Sequence, residues 1–170
     1  MESRIFLIGF MGSGKTTQGS ALARKLGYRF VDMDRLIEER AGMSIPEIFS
    51  EQGEEAFRKW ECDLLMELCR IDCLVVSTGG GAPCHDDMIG IMNEHGCTIY
   101  LRLSPRALRE RLVHSKTERP LLGDRTEDEL LDFIEKLLAE REAYYLKARY
   151  TVDGTNLQTD RLVRLIREDL

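Results

Sequence analysis

The sequence has no surplus of positive charge, no long apolar run and no cysteine pairing pattern. It carries 24 Lys and Arg against 30 Asp and Glu, a net charge of −6, with a pI near 5.2. A nucleic-acid binder needs a basic face, and an anionic membrane surface needs the same, so neither partner is expected. The longest apolar run near the front, Ile5–Ile8, stops at Gly9. Nothing approaches the ~18–20 apolar residues of a membrane span, and no signal-peptide core is visible, so a cytoplasmic protein is expected. The cysteines (Cys62, Cys69, Cys73, Cys84 and Cys97) are odd in number and form no CxxC. That pattern suggests neither a disulfide framework nor a zinc site and suits a reducing compartment. His85, His95 and His114 lack metal-ligand spacing. There is no internal repeat, low-complexity segment or Pro/Ser-rich linker.

What remains is 170 residues with 43% apolar and 32% charged residues. That is one domain's worth of chain, long enough to bury about 70% of its unfolded surface. Of the 24 cations, 18 are Arg. Arg suits bidentate recognition of carboxylate and phosphate, although a surface bias would give the same excess.

Short apolar runs alternate with helical patterns. Strands are expected at Arg4–Phe10, Tyr28–Val31, Cys73–Ser77, Thr98–Leu103 and Tyr150–Val152. Helices are expected over Lys15–Leu26, Met33–Ala41, Ser44–Arg70, Asp86–Glu94, from Ser104-Pro105 onward, over Glu127–Lys147, and from about Leu157. Such alternation implies an α/β fold, a parallel sheet with helices on both faces, and ligands at the strand carboxyl ends.

The segment after the first strand, Gly9-Phe10-Met11-Gly12-Ser13-Gly14-Lys15-Thr16, matches GxxxxGK[ST] in full and lies between strand and helix. Its glycines let backbone N–H groups surround phosphate oxygens, and the helix start adds a positive dipole end. Lys15 can reach the β- and γ-phosphates, and the Thr16 hydroxyl can bind Mg²⁺. No base-reading [NT]KxD motif of guanine switches is present, which favours a compact phosphotransferase.

Asp32 and Asp34 follow the second strand at i and i+2, a spacing that puts both carboxylates on one face of an extended chain. One could hold the water shell of a metal and the other could deprotonate a hydroxyl acceptor, while a helix N-cap is the structural alternative. On the long helix, Leu130, Phe133, Ile134, Leu137 and Leu138 define an apolar side that Arg141, Tyr144 and Tyr145 continue. On an earlier helix Phe57, Leu64 and Leu68 share a face with Glu61, and Arg58 lies within reach of Glu61. A Glu holding an Arg in one rotamer suits an anion site; snorkelling to solvent is the alternative for each Arg. Gly79-Gly80-Gly81 reads equally as a tight turn or as backbone that approaches a substrate closely. The polar segment Lys116–Gly123 reads as a surface loop or as a lid that brings Arg119 to a phosphoryl group.

These residues together resemble the shikimate kinase family of P-loop, nucleoside monophosphate kinase-like enzymes. The resemblance rests on GFMGSGKTT at 9–17, FVDMD at 30–34, SIPEIFSEQGEEAFRKWE at 44–61, STGGG at 77–81, RPLL at 119–122 and the Arg141/Tyr144 helix, in the family's order across the whole chain. It implies a three-layer fold with a five-stranded parallel sheet ordered 2-3-1-4-5, a substrate-binding segment over about 33–61 and a lid over about 112–125. It implies ATP-dependent phosphorylation of the 3-hydroxyl of shikimate, on the route to chorismate, with Mg²⁺. Lys15, Asp34 and Arg119 are then the catalytic positions, and Thr16 and Asp32 the metal positions. Gly12, Ser13, Gly14, Lys15, Thr16, Thr17, Arg111, Arg119 and Gln158 would bind nucleotide, with adenine between Arg111 and the loop Asp153–Thr159. Asp34, Arg58, Glu61, Gly79, Gly80, Gly81 and Arg141 would bind shikimate. A monomer is expected, because no apolar interface stripe is obvious.

Three other readings stand beside this one, among them a nucleoside monophosphate kinase, whose acceptor site must grip a phosphate and a base. Another small-molecule kinase, such as a gluconate kinase, also handles a hydroxylated carboxylate. A non-catalytic ligand-binding relative would be expected to have lost Lys15, Asp34 or Arg119, and all three are present.

Overall fold

The computed structural model describes residues 4–115 and 123–168. The described elements run β1 (Arg4–Ile8), α1 (Lys15–Leu26), β2 (Arg29–Asp32), α2 (Met33–Ala41), α3 (Ile45–Gln52), α4 (Glu54–Leu68) and β3 (Leu74–Ser77). A single 3₁₀ turn, Ala82–Cys84, follows. The chain continues through α5 (Met88–His95), β4 (Cys97–Arg102), α6 (Pro105–Val113), α7 (Glu127–Tyr145), β5 (Tyr150–Asp153) and α8 (Thr159–Glu168). The five strands form one sheet in the order β2-β3-β1-β4-β5. Every pairing is parallel, as the alternation of elements predicts.

The central strand β1 explains the layering. Side chains alternate between faces of a strand. Ile5 and Leu7 enter one apolar cluster with Leu22 of α1 and Leu162 and Ile166 of α8. Phe6 and Ile8 enter the other, with Leu64 and Leu68 of α4, Met92 of α5 and Ile134 of α7. With both faces covered, all four side chains are fully buried, the usual state of a parallel sheet. Parallel strands place all their carboxyl ends along one edge, and the candidate site residues follow β1, β2 and β3 there.

Three local expectations are corrected. The helix expected over 44–70 is two helices, because Gly53 takes φ 87 and ψ 168, outside helical space. Its N–H closes α3 on Ile48 and Phe49, and α4 restarts with acidic residues in its first turn. Asp34 is not on a strand. Asp32 ends β2 and caps α2, its side chain accepting from the Arg35 N–H, and Asp34 lies in the first turn of that helix. The last helix begins at Thr159, after a loop, rather than near Leu157.

Candidate active site

The phosphate loop bends through Gly12 (φ 79) and Gly14 (φ 96), conformations that cost little only for glycine. Lys15 is buried and folds back over the loop, its Nζ donating to the Gly9 and Phe10 carbonyls at 2.7 and 3.0 Å. Thr16 Oγ1 donates to Asp32 Oδ2 at 2.7 Å and lies 3.4 Å from Ser77 Oγ. Lys15, Thr16, Thr17, Asp32, Asp34 and Arg111 all line one cleft of about 520 Å³. Burial pushes the Asp34 carboxyl up to about 6, the neighbouring charge of Asp32 adds to this, and Lys15 and Arg58 oppose it.

On the other side of the glycine run, Arg58 Nη1 donates to Glu61 Oε2 at 2.6 Å. Glu61 is only 1% exposed, so a charge-assisted bond compensates its burial. Burial raises its carboxyl above the usual range, Arg58 opposes this most strongly, the charge of Asp34 raises it further, and Arg141 lowers it. Arg58 also packs on the Phe57 ring, and Arg141 faces the Phe10 ring. Arg58 Nε is buried without a partner, so this guanidinium retains an unused donor.

Gly79, Gly80 and Gly81 are where these groups converge. A Cβ on Gly79 would stand 2.8 Å from Asp34 Oδ1 and 2.8 Å from Glu61 Oε1. A Cβ on Gly80 would stand 3.2 Å from Arg141 Nη1, and one on Gly81 would stand 3.0 Å from both Nη atoms of Arg58. Two carboxylates therefore approach Gly79 closer than a side chain would permit, and two guanidiniums lie against Gly80 and Gly81 so tightly that a side chain there would have to push them aside by a few tenths of an ångström. The run is a turn, with the Ala82 N–H bonded to the Gly79 carbonyl, and also a segment that the protein's own side chains approach closely.

A sequence model of shikimate kinase matches residues 11–170. The chain belongs to the shikimate kinase family. A shikimate kinase of Bacteroides fragilis (strain ATCC 25285) is 48% identical over 155 residues, 91% of this chain and 87% of that protein. The crystal structure of shikimate kinase from Bacteroides thetaiotaomicron superposes with a TM-score of 0.95 at 41% identity, covering 98% and 99% of the two chains. Shikimate kinase from Acinetobacter baumannii, solved in complex with shikimate, gives a TM-score of 0.86 at 32% identity, covering 99% and 95%.

The structure brings nearly all the family-implied positions together. The P-loop, Asp32 and Asp34 share the cleft; Arg58, Glu61 and Arg141 meet at the glycine run. Arg111 bridges the P-loop and the loop after β5, donating to the Ser13 carbonyl and to the Gly154 carbonyl, each at 3.1 Å. Gln158 is exposed on that loop. Arg119 lies outside the described residues, as does RPLL at 119–122.

Two residues around this shikimate kinase site do more than the sequence reading assigns them. That reading puts Tyr144 and Tyr145 together on the inward side; Tyr144 is in fact 38% exposed, whereas Tyr145 is fully buried. Its hydroxyl donates to the Gly80 carbonyl at 2.5 Å. The i, i+4 step from Arg141 was the available signal. Gln18 ties α1 to the loop after β5, donating to the Leu157 carbonyl and accepting from Thr159 Oγ1, both at 2.9 Å. Nothing local in the sequence marks it.

Proposed function

We propose that this chain transfers the γ-phosphoryl group of ATP to the 3-hydroxyl of shikimate, giving shikimate 3-phosphate and ADP. The observation that carries the reading is the convergence of Asp34, Glu61, Arg58 and Arg141 on Gly79–Gly81 beside the phosphate loop, in a member of the shikimate kinase family.

Shikimate is a monoanion with three hydroxyls. Arg58 and Arg141 hold its carboxylate, and Glu61 keeps Arg58 in one rotamer. Charge-assisted hydrogen bonds of this kind contribute roughly 1.5–3 kcal/mol each. Asp34 accepts the proton of the 3-hydroxyl as that oxygen forms its bond to the γ-phosphorus and the bond to the ADP oxygen breaks. A carboxyl held near 6 is matched to this work: it is ionised at neutral pH yet more basic than an exposed aspartate. Lys15 leaves its two carbonyl partners for the β- and γ-phosphates, and the N-terminus of α1 adds its dipole. Arg119, outside the described residues, is the further cation that the family resemblance assigns to the phosphoryl group. Arg111, Gln158 and the loop after β5 take the adenine.

Thr16 Oγ1, Asp32 and Ser77 Oγ form an oxygen-only donor set at the mouth of the phosphate loop. This set suits Mg²⁺, which takes one or two protein oxygens and keeps several waters. Thr16 would be the direct ligand and Asp32 would hold the water shell; when bound, the ion neutralises phosphate charge. We propose further that the chain works as a single-domain monomer in the cytoplasm, on the way to aromatic amino acids. The family membership supports the place in metabolism, the acidic net charge disfavours an anionic membrane surface, and among the described residues no helix is long and apolar enough to cross a membrane.

The test is ADP release from MgATP with shikimate, gluconate and AMP supplied separately. Turnover is expected with shikimate alone. Comparable turnover with gluconate, or none with shikimate, removes the reading.

A further inference from the structure

We infer that Tyr145 is a positioning residue for the anion grip, tethering the Gly80 peptide in place beside the Arg141 guanidinium. The inference rests on the shikimate reading above, in that the grip it positions is the proposed carboxylate site.

A run of three glycines has more conformational freedom than any other tripeptide and must be tethered to present a defined surface. Each of its carbonyls has a partner. The Gly79 carbonyl accepts from the Ala82 N–H at 3.2 Å, and the Gly81 carbonyl accepts from the Cys84 N–H at 3.0 Å. These two bonds belong to the local turn. The middle carbonyl, of Gly80, is held from outside by the Tyr145 hydroxyl at 2.5 Å. A peptide unit is planar and trans, so fixing the Gly80 carbonyl also fixes the Gly81 N–H, which points the opposite way, away from Tyr145. Among the described residues the Gly80 and Gly81 N–H groups have no acceptor within the chain. They are backbone donors on the segment that Arg58 and Arg141 approach.

The same phenol lies beside the cation. Arg141 lies one helical turn before Tyr145 on α7, its Nη1 would stand 3.2 Å from a Cβ on Gly80, and its charge opposes the rise that burial gives the Tyr145 phenol. The peptide that Tyr145 tethers is thus the one that Arg141 approaches. The ring is fully buried and stacks on Tyr100, centroids 5.1 Å apart, so the hydroxyl has little freedom. Burial also raises the phenol's pKa, which keeps it a donor. Tyr100 supplies a natural control: it is a second buried tyrosine in the same ring pair, but its hydroxyl donates to Glu142 at 3.3 Å, away from the glycines.

Three variants of the full chain test this: Tyr145→Phe, Tyr100→Phe and Arg141→Met. For each, shikimate Kd is measured by calorimetry, KM for both substrates and kcat by steady-state assay, and Tm by melting. Tyr145→Phe is expected to raise the Kd and KM for shikimate about 5- to 20-fold, the effect of losing one hydrogen bond beside a charged site. The KM for ATP should change less than about two-fold. Tyr100→Phe should leave shikimate affinity unchanged. Unchanged shikimate affinity in Tyr145→Phe, beside a clear loss in Arg141→Met, overturns the positioning role and leaves the carboxylate site standing. Unchanged affinity in Arg141→Met overturns the carboxylate site itself. An equal loss in Tyr100→Phe and Tyr145→Phe, or a Tyr145→Phe chain that does not fold, assigns Tyr145 to core packing and also overturns the inference.

Discussion

Adding one methyl group at Gly79 separates the site's geometry from its stability. The alanine Cβ of Gly79→Ala would lie 2.8 Å from both Asp34 Oδ1 and Glu61 Oε1, where ordinary contact begins near 3.4 Å. Each carboxylate oxygen must therefore retreat by about 0.6 Å, the difference of those two distances. Gly79 is not among the positive-φ glycines, so the backbone accepts alanine. Alanine would even restrict the unfolded chain, worth roughly 0.4–1 kcal/mol of stability. The obstructing atoms are side-chain ends, which can move. Moving them is what costs function: Asp34 is displaced from the acceptor hydroxyl, and Glu61 is pushed against its 2.6 Å bond with Arg58. Displacements approaching 1 Å in a reacting geometry cost up to about 100-fold. We expect kcat/KM for shikimate to fall about 10- to 100-fold in a coupled ADP-release assay. The Tm should stay within a few degrees of wild type and the KM for ATP within two-fold. Wild-type kcat/KM in a folded Gly79→Ala chain would refute the convergence argument.

Other perturbations address separate parts of the site. Arg58→Met and Arg141→Met should each weaken shikimate binding roughly ten- to a hundred-fold or more while sparing ATP; unchanged Kd in both, read by calorimetry, removes the carboxylate anchors. Arg111→Ala breaks a bridge between the phosphate loop and Gly154, and should raise the KM for ATP several-fold without changing that for shikimate; equal effects on both would place Arg111 elsewhere in the mechanism. Burial holds the Glu61 carboxyl up at about 7 in the substrate-free chain, where Arg58, Arg141 and Asp34 are the charges that face it. With a folded value above the unfolded one, its stabilising contribution is complete below about pH 4.5 and is lost as pH rises through 7. His85, lowered by burial and by Arg58, has the opposite sign and loses stability on acidification. Glu61→Gln should therefore flatten the part of the Tm profile that falls between pH 6 and 8; identical slopes in the two chains would contradict the assignment.

How much was legible in the sequence depended on how local each feature is. The phosphate loop is contiguous, and its glycines, Lys15 and Thr16 were readable because one strand–loop–helix unit builds them. The sheet order also followed expectation. For the Asp32/Asp34 pair, strand periodicity suggested a shared face, but the N-cap alternative and the helix expected over Met33–Ala41 are what the structure shows: a cap followed by a first helical turn brings both carboxylates to the cleft. The α3–α4 break lay in plain view at Gly53, followed by two glutamates, but the apolar spacing on both sides concealed it. The glycine run was undecidable locally, since its meaning depends on α2, α4 and α7 arriving from distant parts of the chain. Tyr145 was obscured by its neighbour, because two adjacent tyrosines cannot be assigned to inside and outside without the register of α7. Gln18 acts across 139 residues of sequence, a separation no local pattern encodes.

The central claim is that Asp34, set in the first turn of α2 against the glycine run, takes the acceptor's proton. The most direct measurement is single-turnover phosphoryl transfer by Asp34→Asn with shikimate and MgATP saturating, alongside calorimetric binding of shikimate to the same variant. The account predicts a chemical step slowed by about 10²–10⁴-fold, with the fold intact and shikimate still bound. Near-normal transfer by Asp34→Asn would contradict it.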